Sequence, residues 1–234
     1  MEEATDLRKR AEELLPKVKE MDGPPIFVEF AGTPKSGKST CIEGVRHFFR
    51  RTGYRVLAPT EGASKRTPYF LRGNLVAFNA WSACYAVSSI LEARYHSDHY
   101  DVALLDRGLF DAFAWFEFLK SSGRLSDGDQ RAINDFLMIE EWRTQIGLVV
   151  LLVADAQTSM NRENADKLIF EEGRAMNKDV LHGLNEAYKA VKEHHSAAFP
   201  KLIDIDTSQG GPSLRDVSYK VTSAILNLLE QRVS

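Results

Sequence analysis

The stretch IFVEFAGTPKSGKS, residues 26–39, decides the fold. Its first six residues are almost all apolar, which predicts a short buried strand. The eight that follow, GTPKSGKS, match the pattern G-x-x-x-x-G-K-[ST] at every fixed position. A helix is predicted next, from about residue 38 to residue 51, and Gly53 would end it. A strand, a glycine-containing loop and a helix in this order form the setting in which backbone amides bind phosphate groups.

The residue types of this loop suit a nucleoside triphosphate together with Mg²⁺. Glycines let the backbone approach an anion closely, and the positive end of the following helix faces the phosphates. The ammonium of Lys38 adds a charge at the β- and γ-phosphates, and the hydroxyl of Ser39 can ligate Mg²⁺. We therefore expect the nucleotide to be held by Gly32, Thr33, Pro34, Lys35, Ser36, Gly37, Lys38, Ser39 and Thr40.

The composition is that of an ordinary soluble globular protein. The chain has 234 residues, 44% of them hydrophobic and 27% charged, which is enough to bury a core in one domain. Its formal charge of −3 shows no basic footprint of a nucleic-acid binder, although a local patch stays open. Two cysteines without a CxxC motif indicate neither a disulfide framework nor a zinc site. The charged N-terminus and the short apolar runs predict no signal peptide and no membrane span, so we expect a cytoplasmic protein.

Strands and helices alternate along the rest of the chain. Further strands are predicted at residues 54–59, 101–106, 147–154 and 201–206. Further helices are predicted at residues 3–20, 74–95, 110–122, 129–144, 156–162, 178–195 and 213–232. This alternation predicts an α/β domain with a five-stranded parallel sheet between two layers of helices. The domain would span residues 25–234, after an N-terminal helical extension at residues 1–24.

Charged residues follow the predicted strands at the edge where the phosphate-binding loop lies, because ligands of parallel sheets collect at the carboxyl ends of the strands. Glu61 follows the second strand, and Asp106 and Arg107 end the third. A carboxylate there can hold Mg²⁺ or accept a proton, and an arginine can neutralise a transferring phosphoryl group. The structural alternatives are an N-cap for Asp106, an ion pair for Arg107 and a solvated loop position for Glu61.

Residues 161–178, NRENADKLIFEEGRAMNK, are rich in charges of both signs and lie between the fourth strand and a late helix. We interpret them as a mobile lid whose Arg162 or Arg174 closes over the phosphates. Closure would exclude water and so suppress hydrolysis of the nucleotide. The alternative is a solvated charged helix.

The sequence does not fit a GTPase. A GTPase would show D-x-x-G after the third strand, but DRGL at residues 106–109 has leucine at the fourth position, where this motif has its glycine. The expected N-K-x-D is also absent, because the Asp of NKDV at residues 177–180 comes one position early. Transfer of a phosphoryl group to a small molecule remains the better interpretation of the loop.

The order of motifs resembles the thymidylate kinase and deoxynucleoside kinase group of P-loop kinases. The resemblance covers the chain after residue 25, and its segments are GTPKSGKST, PTEG, FNAWSA, LLDRGLFDAFAW, EAYKAV and IDIDTSQG. It implies the three-layer P-loop NTPase fold with a mobile lid, and transfer of the γ-phosphoryl group of ATP to a nucleoside or nucleotide. The family also suggests a homodimer, but no stripe in the sequence fixes its interface.

The resemblance also implies roles for single residues. Asp106 would take the acidic position of the family and organise Mg²⁺ with Ser39. Arg107 would contact phosphate beside Lys38, and Thr207 and Ser208 would lie near the adenine.

The sequence departs from the thymidylate kinases on the acceptor side. They carry Arg-Glu-Pro after the second strand and an Asp-Arg pair in the long helix, whereas this chain has TEG at residues 60–62 and FNAWS at residues 78–82. Two arginines that would hold the acceptor's phosphate are therefore missing, and Arg72 or the pair Lys65-Arg66 could replace them. The acceptor could be a nucleoside, another nucleotide, or another hydroxyl compound, a nucleic acid included. The remaining alternative is a nucleotide-binding regulatory module without acceptor activity.

Overall fold

Five parallel strands form one sheet in the order β2-β3-β1-β4-β5. The computed structural model describes residues 2–58, 66–96, 100–165 and 176–234, with side chains from residue 5 onward. The strands are β1 (Ile26–Gly32), β2 (Val56–Leu57), β3 (Val102–Asp106), β4 (Ile146–Val153) and β5 (Leu202–Asp206). The α/β class and the five-stranded parallel sheet predicted from the sequence are confirmed.

Helices cover both faces of the sheet, which completes the three predicted layers. One face carries α1 (Glu2–Glu20), α2 (Lys38–Arg51) and α9 (Leu214–Val233). The other face carries α3 (Leu75–Tyr95), α4 (Leu109–Ser121) and α8 (Lys178–His195). The shorter helices are α5 (Asp127–Leu137), α6 (Glu140–Arg143) and α7 (Ala156–Ala165). None of the helices in the described part of the chain is long and apolar enough to cross a membrane.

The central strands are buried on both faces, as strands of a covered parallel sheet are. In β1, Val28 and Phe30 pack on the α2 and α9 side, whereas Phe27 and Ala31 pack on the α4 side. Glu29 lies between them on the α4 side and is fully buried. A buried carboxylate requires hydrogen-bond partners. Those of Glu29 lie in the candidate site and are described there.

The N-terminal helix packs against the body of the fold. Its buried residues belong to the same cluster as α2 and α9, and they are Leu7, Ala11, Leu14 and Val18. Arg10 bonds to Asn227 and Glu230 on α9, and the hydroxyl of Tyr54 donates to the carbonyl of Ala11 at 2.8 Å. Burying this apolar stripe stabilises α1 on the sheet's outer layer.

Three boundaries differ from the sequence prediction. The predicted helix at residues 129–144 is two helices, because Ile139 takes an extended conformation between α5 and α6. Strand β2 has only two residues, and the ring of Tyr54, which precedes it, packs against Phe49. Helix α7 continues to Ala165 and includes the first residues of the predicted lid. Glu61, Arg174 and residues 166–175 lie outside the described residues.

Candidate active site

The phosphate-binding loop leaves β1 through a tight contact with its neighbouring strand. Gly32 has φ +136°, and a Cβ atom there would lie 1.7 Å from the carbonyl oxygen of Leu152 on β4, so only glycine fits. Gly37, at φ +95°, starts α2, and Lys35 between them is also left-handed at φ 59°. The loop thus wraps around an anion-sized space in front of the helix, as its sequence predicts.

Lys38 points back into this loop. Its Nζ donates to the carbonyl oxygens of Gly32 at 2.8 Å and Thr33 at 2.7 Å, and lies 3.5 Å from the hydroxyl of Ser36. Burial, with the positive charge of Arg107 nearby, lowers the pKa of Lys38 to about 7. A polyphosphate would give this ammonium an anionic partner, whereas its present hydrogen-bond acceptors are neutral carbonyl oxygens.

Arg107 follows β3 in a strained conformation. Its φ of 71° lies in the left-handed region, which a non-glycine residue adopts at a cost of about 1–2 kcal/mol. Its N–H donates to Phe30 at 3.0 Å, and its Nη1 donates to Asp111 Oδ2 at 2.5 Å. Burial alone would lower the pKa of Arg107, but the charge and hydrogen bond of Asp111 raise it above its usual value. The guanidinium therefore stays positive, and it has the ion pair that the sequence left as an alternative.

A cleft of about 690 Å³ brings most of the predicted nucleotide residues together. Asp106 lines it rather than capping α4, whose N-cap is Gly108. Its other lining side chains include Lys38, Ser39, Thr40, Arg107, Arg162 and Thr207, with Pro212, Leu214 and Val217 as an apolar end. Ser208 is not part of this lining, and its hydroxyl accepts the N–H of Asp155 at 2.9 Å.

Arg162 lies on α7, where it links two parts of the cleft. Its Nη1 donates to the carbonyl of Lys35 at 3.0 Å, and its Nη2 donates to the carbonyl of Thr207. The neighbouring Glu163 pairs with the ammonium of Lys35 at 3.1 Å. Helix α7 is thereby attached to the tip of the phosphate-binding loop and to the loop after β5.

Three further residues of the site were missed from the sequence: Glu29, Asp111 and Tyr188. Glu29 accepts the N–H groups of Phe110 at 3.0 Å and Asp111 at 2.8 Å. Burial, reinforced by the charge of Asp111, raises the pKa of Glu29 to about 7. The signal available was a lone acidic residue in each of two apolar segments, VEFA in β1 and FDAFAW in α4.

No family model and no curated protein matches the sequence. Solved structures do match. The chain is similar to the deoxyadenosine kinase from M. mycoides with bound dCTP, at 16% identity and a TM-score of 0.57, over 86% of this chain and 99% of that chain. The same kinase with dATP gives 16% identity and a TM-score of 0.56, over 86% of this chain and 100% of that chain. The same kinase with dCMP and dCDP gives 14% identity and a TM-score of 0.58, over 86% of this chain and 98% of that chain. The chain has the fold of the P-loop deoxynucleoside kinases, as the motif resemblance predicted.

Proposed function

We propose that the chain is a Mg²⁺-dependent phosphotransferase that moves the γ-phosphoryl group of ATP to a nucleoside or nucleotide. The observation that carries the proposal is one cleft in which Lys38, Ser39, Asp106 and Arg107 meet at the carboxyl edge of the sheet. Two cations and two oxygen ligands at the start of a helix suit a metal-bound triphosphate.

The donor nucleotide would lie along the cleft. Its phosphates would face the backbone N–H groups of residues 32–39 and the ammonium of Lys38. Its adenine would lie at the apolar end, against Pro212, Leu214 and Val217, with Thr207 beside it. This apolar end supplies stacking and dispersion contacts rather than a charged base edge.

The donor set fits Mg²⁺, because the hydroxyl of Ser39 and the carboxylate of Asp106 are the hard oxygen ligands that this ion prefers. The bound ion would supply neutralisation of charge on the phosphates. Lys38 and Arg107 would stabilise the charge that develops during in-line transfer.

The roles of four residues remain proposals. Glu61 or Asp106 would orient or deprotonate the acceptor hydroxyl. Arg162, which already lies on the donor cleft, or Arg174 would cover the phosphates when the lid closes. For Glu61 and Arg174 the support is the sequence alone.

A nucleoside is the acceptor class that we favour. The sequence lacks the two arginines that would hold an acceptor's phosphate, and the similar structures are of a protein named deoxyadenosine kinase. The test is a screen of nucleosides, nucleotides, sugars, RNA and DNA with γ-labelled ATP and Mg²⁺. Labelled product from a nucleoside supports the proposal. If ATP binds tightly and every acceptor stays unlabelled, the chain is a nucleotide-binding regulatory module, and label on RNA or DNA would make it a polynucleotide kinase.

We also propose that the protein is a cytoplasmic homodimer. Helix α3 leaves a stripe with alternating steps of four and three residues on its partly or fully exposed side: Ala77, Trp81, Cys84, Ser88, Leu91 and Tyr95. This spacing packs well against an antiparallel copy of the same helix. Both cysteines are free thiols, which fits a reducing compartment.

A thiol cross-linker tests the dimer. A two-fold axis near the middle of the stripe would place the two Cys84 side chains about 6 Å apart along the helix axes. A short bis-maleimide should therefore give a covalent dimer, and C84S should give none, because the other thiol, Cys41, is buried. A monomer mass in solution, with no cross-linking of the unchanged chain, would contradict this interface.

A further inference from the structure

The buried carboxylate of Asp111 lies behind the cleft. Asp111 is in the first turn of α4, and its side chain is 3% exposed. Its Oδ1 accepts the N–H of Gly32 at 3.1 Å and the hydroxyl of Tyr188, while its Oδ2 accepts Nη1 of Arg107 at 2.5 Å. It therefore has partners at the end of β1, just after β3 and on α8, and the first and the last of these lie 79 and 77 positions away along the chain.

The three partners are functionally distinct. Gly32 is the first residue of the phosphate-binding loop, and Arg107 is the cation that ends β3. Tyr188 lies on α8, the helix that follows residues 166–175 in the chain. The hydroxyl of Tyr188 remains a proton donor, because burial and the charge of Asp111 raise its pKa well above the usual value. Both carboxylate oxygens of Asp111 are thus fully used in holding parts of the site.

Glu29 fixes the helix end on which Asp111 lies. Its carboxylate accepts two N–H groups in the first turn of α4, which would otherwise have no intrahelical partner. Gly108 permits this contact, because a Cβ atom there would lie 2.6 Å from Cδ of Glu29. The glycine that follows the Asp-Arg pair is explained by this buried glutamate.

Arg107 needs such support more than most arginines do. Its left-handed backbone is strained, and its long side chain has rotamer freedom that would spread the guanidinium over the cleft. The contact with Asp111 and the ring of Trp115, 5.6 Å from the guanidinium carbon, restrict it to one position. A charge that stabilises a transition state must be held in place before the reaction.

We propose that Asp111 is a positioning residue that sets the guanidinium of Arg107 against the phosphate-binding loop and links both to helix α8 through Tyr188. This inference rests on the proposed phosphoryl transfer. Asp111 does not line the cleft, and it acts through Arg107; in D111N the amide oxygen can still accept the N–H of Gly32. Its effect on the reaction should therefore depend on the presence of Arg107.

The test is a double-mutant cycle of D111N and R107A in the full chain, with kcat and the Kd of ATP as readouts. Asn keeps the size of Asp and loses its charge. We expect R107A to lower kcat about 100-fold and D111N about 30-fold, the size of effect that a small misplacement causes. The double variant should resemble R107A alone, rather than show the product of roughly 3000-fold. The same lack of additivity is expected for the Kd of ATP, with about fivefold weakening in each variant.

Two controls keep the result interpretable. D101N removes another buried aspartate charge that pairs with an arginine, at the opposite edge of the sheet, and should leave kcat within about twofold. If D111N does not fold, Y188F provides a milder test. It removes one hydrogen bond from Asp111 and should lower kcat about threefold with the fold intact.

The outcomes separate the two proposals. Multiplying effects in the cycle, or a D111N enzyme as active as the unchanged chain, would overturn the positioning role while the phosphotransferase stands. A chain that binds ATP but labels no acceptor would end the proposed function, and additivity in the Kd cycle would then still decide whether Asp111 acts through Arg107.

Discussion

Strand β3 has a buried aspartate–arginine pair beside each end, and the surroundings of the two pairs differ. At the amino end, Asp101 accepts the backbone N–H of Arg55 at 2.6 Å and its Nη2 at 2.6 Å. The arginine side chain there is 44% exposed. At the carboxyl end, the side chain of Arg107 is 25% exposed, and its partner Asp111 also holds Gly32 and Tyr188.

The difference fits a structural role at the amino end and, at the carboxyl end, the functional role that we propose. Arg55, which precedes β2, binds Asp101, which precedes β3, and its φ is not in the left-handed region. Arg107 occupies a strained left-handed conformation beside a cleft, and its partner is shared with the phosphate-binding loop. A strained backbone conformation is typical of residues that bind a ligand, and a carboxylate shared with the loop would hold the guanidinium in position for it. The same pair of residue types therefore predicts different consequences on mutation at the two edges.

The largest effect is expected at the carboxyl edge, from Lys38→Ala. This variant removes the cation that the triphosphate needs, so phosphoryl transfer should fall by at least about 1000-fold. The fold should remain, because burial of the Lys38 ammonium is costly, which lowers its pKa to about 7. Single-turnover transfer and thermal unfolding of the same preparation measure the two effects. Turnover close to that of the unchanged chain would sink the mechanism.

The opposite behaviour is expected at the amino edge. D101N removes a buried charge that accepts the backbone N–H and the guanidinium of Arg55, and should lower the free energy of unfolding by about 2–3 kcal/mol. Its kcat should not change, since the residue lies at the far edge of the sheet from the cleft. Urea unfolding and steady-state kinetics check the pair of outcomes. A clear loss of kcat in D101N without a loss of stability would contradict the distinction between the two ends of β3.

The sequence was sufficient for features whose cause is local. The glycine and lysine spacing of the loop and the apolar runs of β1 and β4 predict the fold and the donor side of the cleft, because each depends on neighbouring residues. The split at Ile139 was missed, since its extended backbone interrupts a pattern that otherwise suits one helix. Glu29 and Asp111 were missed for another reason. Their partners lie as far as 82 positions away along the chain, so that only folding shows which groups they satisfy.

A smaller effect is expected from Glu29, which titrates inside the sheet. Its pKa in the folded protein, about 7, lies above the ordinary value of 4.5. The folded state therefore holds this proton more tightly, and the stability contribution is complete below pH 4.5 and is lost as the pH rises toward 7. Between pH 5 and pH 7 the loss is roughly 2 kcal/mol. E29Q cannot titrate, so the unchanged chain should lose this amount relative to E29Q in urea unfolding at the two pH values. A constant difference between the two proteins would contradict the assignment.

The smallest effect is expected in the pH dependence of nucleotide binding. With a pKa near 7, Lys38 is mostly neutral at pH 8 before a nucleotide binds, and a bound triphosphate would restore its charge. Binding should therefore take up close to one proton at pH 8, and the affinity should fall by nearly tenfold from pH 8 to pH 9. Calorimetry in two buffers of different ionisation enthalpy measures the uptake directly, and K38M should abolish it while the D101N control retains it. If K38M takes up the same proton, the titrating group is another one, and a neutral Lys38 before nucleotide binding is ruled out.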